Sequence, residues 1–410
     1  MSKFTRHKQV VAIALGGAAF IAAGSASAET TNIFDLSAGA GFSTNPGING
    51  NGGTSGFGRI SAYGDHSWAT ERSTASIHGF VENTFYFKNY GSQRIFNVGA
   101  DTNFTASPTL SLYGNLAFFG DFNGQLANRL ISVPSGPPPV INPGLPPPIT
   151  LPNAFGFTGH TYQATGQIGA SIRSSELSTI NLSAGANHGW YTGNSALDYT
   201  TYFGSVGYSH QISERTSIGP SLYVTYQDYA HGNSATIINP SLTAHTQLSE
   251  SVTADGAVGV LVLEQHQFGQ SDTKVSPSFR LGVCGQGTVS SICAHVARDA
   301  HSSFANPTTV GNRSSVTTTA DVTYYRQVSE KGTIQASLYG THYSASTVGP
   351  LGQDLSQTYL SGVVGYDQGI GHRLFAGVNV GARKVFQTGP DQKVDFNANI
   401  YLRYRLGDLR

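Results

Sequence analysis

The residues with chemistry to offer are few: two cysteines, thirteen histidines and a group of arginines near the C-terminal end. Cys284 and Cys293 stand nine positions apart and flank Gly285-Gln286-Gly287, a turn signal. A thiol nucleophile or a metal pair would need His or acidic partners at ligand spacing. The nearby histidine, His295, has no acidic or second His neighbour at that spacing. A disulfide closing a hairpin is the expected state if the chain is exported. So short a loop contributes about 2–3 kcal/mol at most. The other histidines are scattered, and neither Gly-x-Ser-x-Gly nor His-Glu-x-x-His occurs. No catalytic residue, metal or cofactor is therefore assigned, and an enzyme is not expected.

The arginines are better placed to act on a solute than on a bond. Lys393 to Leu406 alternates almost without a break: Val394, Phe396, Ala398, Ile400, Leu402, Tyr404 and Leu406 share one face. Lys393, Asp395, Asn397, Asn399, Tyr401, Arg403 and Arg405 share the other. Successive side chains of a strand point to opposite faces, so this segment has one apolar and one wet side. The same parity aims Arg373, Phe375, Asn379 and Arg383 inward from His372 to Phe386, and Arg313, Thr317, Thr319, Asp321 and Thr323 inward from the preceding region. His78, Glu82, Asn97, Asp101 and Asn103 face the same way near the N-terminal end. Two arrangements fit these groups. They pair across neighbouring strands and hydrate a wall, or Arg373, Arg383, Arg403 and Arg405 oppose Asp321 and Asp395 across an eyelet and set a field for passing solutes.

The elements that position them are strands throughout. The pattern predicts strands from 32–42, 57–68, 74–87, 92–105, 109–119, 159–174, 179–191, 198–212 and 216–229, then from 235–248, 251–266, 272–284, 289–297, 313–328, 332–344, 357–368, 372–386 and 393–406. That is about 18, with 16 as the alternative count because the segment at Cys293 carries the weakest pattern; single-chain bacterial barrels use even numbers. Ser174–Leu177, Ser213–Thr216, Ser249–Ser251, Ser329–Gly332 and Gly369–His372 are short turns at alternate connections, which puts them on one rim. In bacterial barrels that rim is periplasmic and the longer loops are extracellular. The expected fold is all-β, an antiparallel up-and-down transmembrane barrel. A cylinder this wide is not filled by side chains, so a water-filled channel follows unless a loop plugs it.

Composition agrees. Charged residues are 11% of the chain and hydrophobic ones only 39%, with 50 glycines, 22 Phe and 20 Tyr. Low charge without high hydrophobicity suits a wall with lipid outside and a polar lining. The formal net charge of zero offers no steering field and argues against nucleic acid. At the N-terminus, Lys3, Arg6 and Lys8 precede an apolar run from Val10 to Ala23 and a small-residue site at Ala26-Ser27-Ala28. This reads as a secretory signal over 1–28, leaving a single barrel over 29–410 in the outer membrane. Nine of the 17 prolines lie between Pro134 and Pro152. They mark a stiff extracellular loop near 120–156 that projects as a surface segment or constricts the pore.

Two segments carry a resemblance. Ala38-Gly39-Ala40-Gly41-Phe42-Ser43-Thr44-Asn45-Pro46, and Gly204-Ser205-Val206-Gly207-Tyr208 leading through His210 to Ser213-Glu214-Arg215-Thr216 with Tyr223 and Tyr226 beyond, are similar to the β-barrel porin 2 family. The resemblance implies an outer-membrane protein of the kind that accompanies exopolysaccharide production in alphaproteobacteria. Leu409-Arg410 departs from the terminal Phe common in outer-membrane barrels, so the assembly signal would fall on Tyr401, Tyr404 and Leu406. The expected partners are outer-membrane lipid, the barrel-assembly machinery and a polysaccharide or other secretion component, with an oligomer allowed. The expected function is a porin-like channel for small hydrophilic solutes or saccharides. A non-conducting docking barrel is the alternative, and an outer-membrane hydrolase is the third class.

Overall fold

The computed structural model describes residues 29–46, 53–88, 90–121, 160–192, 198–229, 233–267, 270–303, 313–346, 355–387 and 393–408. Residues 1–28 and the proline-rich segment, on which the signal and loop expectations fall, lie outside that set, as do Leu409 and Arg410. Eighteen strands follow in order. The first nine are β1 (Glu29–Ser43), β2 (Ser55–Ala69), β3 (Ser73–Tyr86), β4 (Ser92–Ser107), β5 (Leu110–Asp121), β6 (Thr161–Ser175), β7 (Ser178–Tyr191), β8 (Tyr199–Ser213) and β9 (Thr216–Tyr229). The rest are β10 (Ser234–Ser249), β11 (Val252–Gln267), β12 (Gln270–Gln286), β13 (Ser290–Ser303), β14 (Arg313–Ser329), β15 (Gly332–Ser346), β16 (Leu355–Gly369), β17 (Leu374–Gln387) and β18 (Asp395–Gly407). The higher of the two expected counts is the observed one. The segment at Cys293 is a full strand running six residues beyond its predicted end at Ala297.

Each strand pairs antiparallel with its neighbours in sequence, and β1 pairs with both β2 and β18, so the sheet closes on itself. The closing pair runs from Ile33 opposite Gly407 to Ser43 opposite Asn397. Its lower end is tied by Asn32, whose N–H donates to Asp408 Oδ2 at 2.7 Å while its carbonyl accepts from the Asp408 N–H. With strands about 4.8 Å apart and tilted by about 40°, a circular section would be roughly 35 Å across.

The connections have the expected polarity. Residues 70–72, 108–109, 176–177, 214–215, 250–251, 287–289, 330–331 and 370–373 form one rim of short turns, and the strand ends at the remaining connections mark the opposite rim. Register shifts fall beside five of these short turns, between Thr105 and Ser107, Arg173 and Ser175, Gln211 and Ser213, Gln247 and Ser249, and Gln327 and Ser329. Such bulges bend and twist strands where a barrel rim must turn.

The outer face is apolar. On β18, Phe396, Ile400 and Leu402 are 56%, 66% and 52% exposed, while Asp395 and Arg403 on the other face are buried. Ile60, Val81, Val98, Ile168, Val258, Leu338, Val364 and Val380 continue that exposed surface around the cylinder. At about 25 cal/mol per Å² of apolar surface, a belt of this extent is costly in water. In lipid it costs nothing, and closure of first strand on last removes the free edges an open sheet would have. Near the long-loop rim, Phe118, Tyr162 and Trp190 stack on the outside with centroids 5.7–6.4 Å apart, the position of an interfacial aromatic girdle. Among the described residues no helix is long and apolar enough to cross a membrane.

The inner face is not uniformly polar. Ile237, Leu261 and Leu263, with Ala235 and Tyr229, form a buried apolar cluster packed by Tyr199. Leu261 and Leu263 share the parity of Asp255, whereas Val258 and Val260 face out. Glycine has a structural use beyond lining. Gly169, Gly185 and Gly377 lie directly opposite Tyr113, Phe203 and Tyr401, and each ring lies where a Cβ on its glycine would stand. Rings laid over cross-strand glycines pin register and cover bare backbone.

Candidate functional site

Closure brings the two ends of the chain together, and the lumen-facing charges collect there. Asp35 on β1 accepts from Arg405 Nε and Nη2, both at 2.8 Å, and from Arg403 Nη1 at 3.4 Å. Arg403 Nη2 donates to Asp367 Oδ1 on β16 at 3.1 Å, and the Tyr401 hydroxyl donates to Asp367 Oδ2 at 2.8 Å. The Phe375 ring lies beneath both guanidinium groups, with its centroid 4.6 Å from Arg403 and 5.7 Å from Arg405. Two arginines thus meet two aspartates, and the cluster is neutral. Replacing Tyr401 by Phe should destabilise the folded barrel by about 1.5–3 kcal/mol, the worth of a hydrogen bond to a charged group. Urea unfolding of the refolded protein would measure it.

A second pair sits toward the long-loop rim. Arg383 Nε donates to Asp395 Oδ2 at 2.8 Å; Ser43 Oγ and the Asn45 N–H donate to Asp395 Oδ1 at 2.6 and 2.8 Å. Arg383 Nη2 also donates to the Pro46 carbonyl at 3.1 Å, so the pair holds the chain leaving β1. Asp395 is fully buried and Arg383 nearly so.

The rest of the candidate charges follow one inward-facing row. Directly opposed residues run His245, Asp255, Gly282, His295, Asp321, Tyr339, Ser361, Arg383 and Asp395 across nine consecutive strands from β10 to β18. Strand tilt makes this row a spiral rising from the short-turn half on β10 to the long-loop rim on β18. Near its lower end, His245 Nδ1 lies 2.6 Å from Asp255 Oδ1, and His295 Nδ1 lies 3.0 Å from Asp321 Oδ2. Cys284 and Cys293 form the disulfide expected of them, directly opposed one rung from His295 toward the turn, on the inward face.

Of the residues singled out from sequence, Asp321, Arg383, Asp395, Arg403 and Arg405 line the interior. Their partners are neighbours on adjacent or nearby strands: Asp321 meets His295, and Arg403 and Arg405 meet Asp35 and Asp367. Among the described contacts, then, the pairing is local along the wall. Arg373 is not on the wall; it lies in the turn before β17 and is exposed at the rim. Arg313 opens β14 opposite Ser303, and its side chain is outside the described residues. Asp35 and Asp367 were missed as partners. Parity with Ser37, Gly39 and Gly41 puts Asp35 on the face opposite Phe34, Leu36 and Phe42, and closure of first on last strand was the signal that would have brought it to Arg405. Among the described residues no group of three or more His, Cys, Asp or Glu is arranged to hold a metal ion.

No protein-family model and no curated protein matches the chain. Among solved structures it is similar to OccAB2 of Acinetobacter baumannii, with a TM-score of 0.45 and 8% identity over 92% of this chain and 98% of that one. OccK2 (OpdF) of Pseudomonas aeruginosa gives 0.46 and 9% over 94% and 99%. The FrpB iron transporter of Neisseria meningitidis gives 0.46 and 10% over 88% and 62%. Likenesses this loose carry no assignment of solute or mechanism.

Proposed function

We propose that the chain is an outer-membrane channel through which small hydrophilic solutes, saccharides among them, diffuse or are exported. The observation that carries this reading is the closed 18-stranded wall with an exposed apolar exterior and charged, hydrogen-bonded side chains on its inner face. A cylinder of this strand number is wider than its own side chains can fill. Residues 1–28 would be the export signal, the short-turn rim would face the periplasm, and lipid and the barrel-assembly machinery would be the obligatory partners. The resemblance to the porin 2 family extends the proposal to a role beside exopolysaccharide secretion.

Because the seam arginines are matched by Asp35, Asp367 and Asp395, the channel should show only weak preference between small cations and anions. Refolded protein in planar bilayers should give stable, ohmic single-channel steps, with reversal potentials near zero in a KCl gradient. A neutral oligosaccharide should reduce the current. Silence from protein whose folding has been verified by heat-modifiable electrophoretic mobility would remove the channel reading and favour the docking barrel.

A further inference from the structure

We infer that Cys284–Cys293 is a thiol–disulfide exchange site for small thiols and disulfides in the lumen, with Cys284 as the reactive sulfur. Three observations converge on it. First, the imidazole of His295 is held from both sides: Nδ1 lies 3.0 Å from Asp321 Oδ2, and Nε2 lies 3.8 Å from Cys284 Sγ. An acid, an imidazole and a sulfur in that order are the arrangement that keeps a released thiolate ionised beside an imidazolium. Second, space for the imidazole is provided by Gly282, its directly opposed residue. A Cβ at 282 would come within 2.8 Å of His295 Cδ2, so any larger residue would push the ring off the sulfur. Third, the two cysteines are unequally exposed. Cys293 is 5% exposed, whereas Cys284 is part-exposed on the lumen side and beside the His295 ring, itself about a quarter exposed. An accessible activated cysteine with a buried partner is the division of labour of reversible exchange.

The chemistry balances with a small monothiol as co-reactant. Its thiolate attacks Cys284 Sγ, the S–S bond breaks, and the electron pair leaves on Cys293, which takes a proton from solvent. A second thiolate attacks the small-molecule sulfur of the mixed disulfide, releasing a disulfide and the Cys284 thiolate next to protonated His295. Two electrons pass from two thiols to one disulfide. In reverse, the Cys284 thiolate attacks an incoming disulfide and Cys293 resolves the product. The charged and titratable groups facing the histidine are Asp321 on β14, Asp255 on β11 across Gly282, with His245 paired to Asp255 on β10, and Tyr339 opposite Asp321 on β15.

The inference rests on the proposed channel in one respect: the lumen must admit a small thiol. The test is iodoacetamide alkylation of the full-length, folded protein after reduction with dithiothreitol, each cysteine followed by mass spectrometry. Cys284 should react at least tenfold faster than Cys293 at pH 7. Its rate should fall at least tenfold in His295→Asn, with the gap closing toward pH 10, where any thiol is ionised. Gly282→Ala should move the rate the same way without touching an ionisable group. Wild-type protein decides the matter even if both variants misfold. Reactivity largely kept from pH 8.5 to 6.5 supports the site, whereas a drop of about tenfold per pH unit, as for an ordinary thiol, overturns it. A conducting barrel with ordinary thiols sinks this inference alone; a silent barrel with an activated Cys284 sinks only the channel.

Discussion

Asp395→Ala should cost the folded barrel about 3–5 kcal/mol, the penalty for leaving a buried charge without its partner. Asp395 is fully buried, and the change removes the carboxylate that faces Arg383, itself 3% exposed, and that accepts from Ser43 and Asn45. The loss should show as a lower urea midpoint and a lower temperature for the shift in electrophoretic mobility. Replacing both partners with apolar residues of similar size, Arg383→Met with Asp395→Leu, should recover a large part of it, because the severe cost lies in the unmatched charge. A single replacement as stable as wild type would mean that Arg383 finds another acceptor or reaches water, and that the contacts to Ser43, Asn45 and Pro46 do not hold the end of β1.

The second large effect separates the two faces of one strand. Leu338 lies in the middle of β15, outward and 63% exposed, and its neighbour Ser337 faces the lumen. If the exterior lies in lipid, Leu338→Arg should cost about 2–4 kcal/mol, the penalty for arginine near the bilayer midplane on the lipid face of a barrel. Ser337→Arg, one residue away, should fold with little loss and instead raise anion preference in the conductance experiment. Insertion yield and urea midpoints in lipid vesicles would measure the contrast. Equal tolerance of arginine at both positions would overturn the membrane reading, since in water neither face penalises a charge.

Much of the fold was legible because a strand writes its two faces into consecutive residues. The alternation read for β18 is the one observed, with Phe396, Ile400 and Leu402 exposed and Asp395 and Arg403 buried, and β9 spans Thr216–Tyr229 as predicted. The polarity of the rims was legible for a similar reason. Short turns carry their own signals in Ser-Glu, Gly and Arg-Thr steps, and antiparallel hairpins must put alternate turns on the same side. Errors gathered where local pattern is weakest. The predicted end of β13 fell at Ala297, one residue before Arg298, which stands on the outward face with Ile292 and Val296 and breaks the polar-inside, apolar-outside rule. Arg298 nonetheless stays in the ladder, opposite Phe279 and Thr318, and donates to the Thr318 hydroxyl. The strand before β18 was begun at His372, two residues early, which carried Arg373 from an exposed turn onto the imagined wall. Glycine was read as lining and as a turn signal, because nothing in the order of residues shows that Gly377 faces Tyr401 or that Gly282 faces His295.

By itself the sequence determined the class of fold, the antiparallel hairpin order of its strands and which side chains share a face. All of these depend on contacts between residues a few positions apart or joined by one turn. Only the tertiary structure decided which charges meet. Asp35 reaches Arg405 because the first strand closes on the last, across 370 residues of chain. His245, His295 and Arg383 fall on one spiral because register accumulates over nine strands. Both depend on closure and strand stagger, which are properties of the whole cylinder and are carried by no single segment of it.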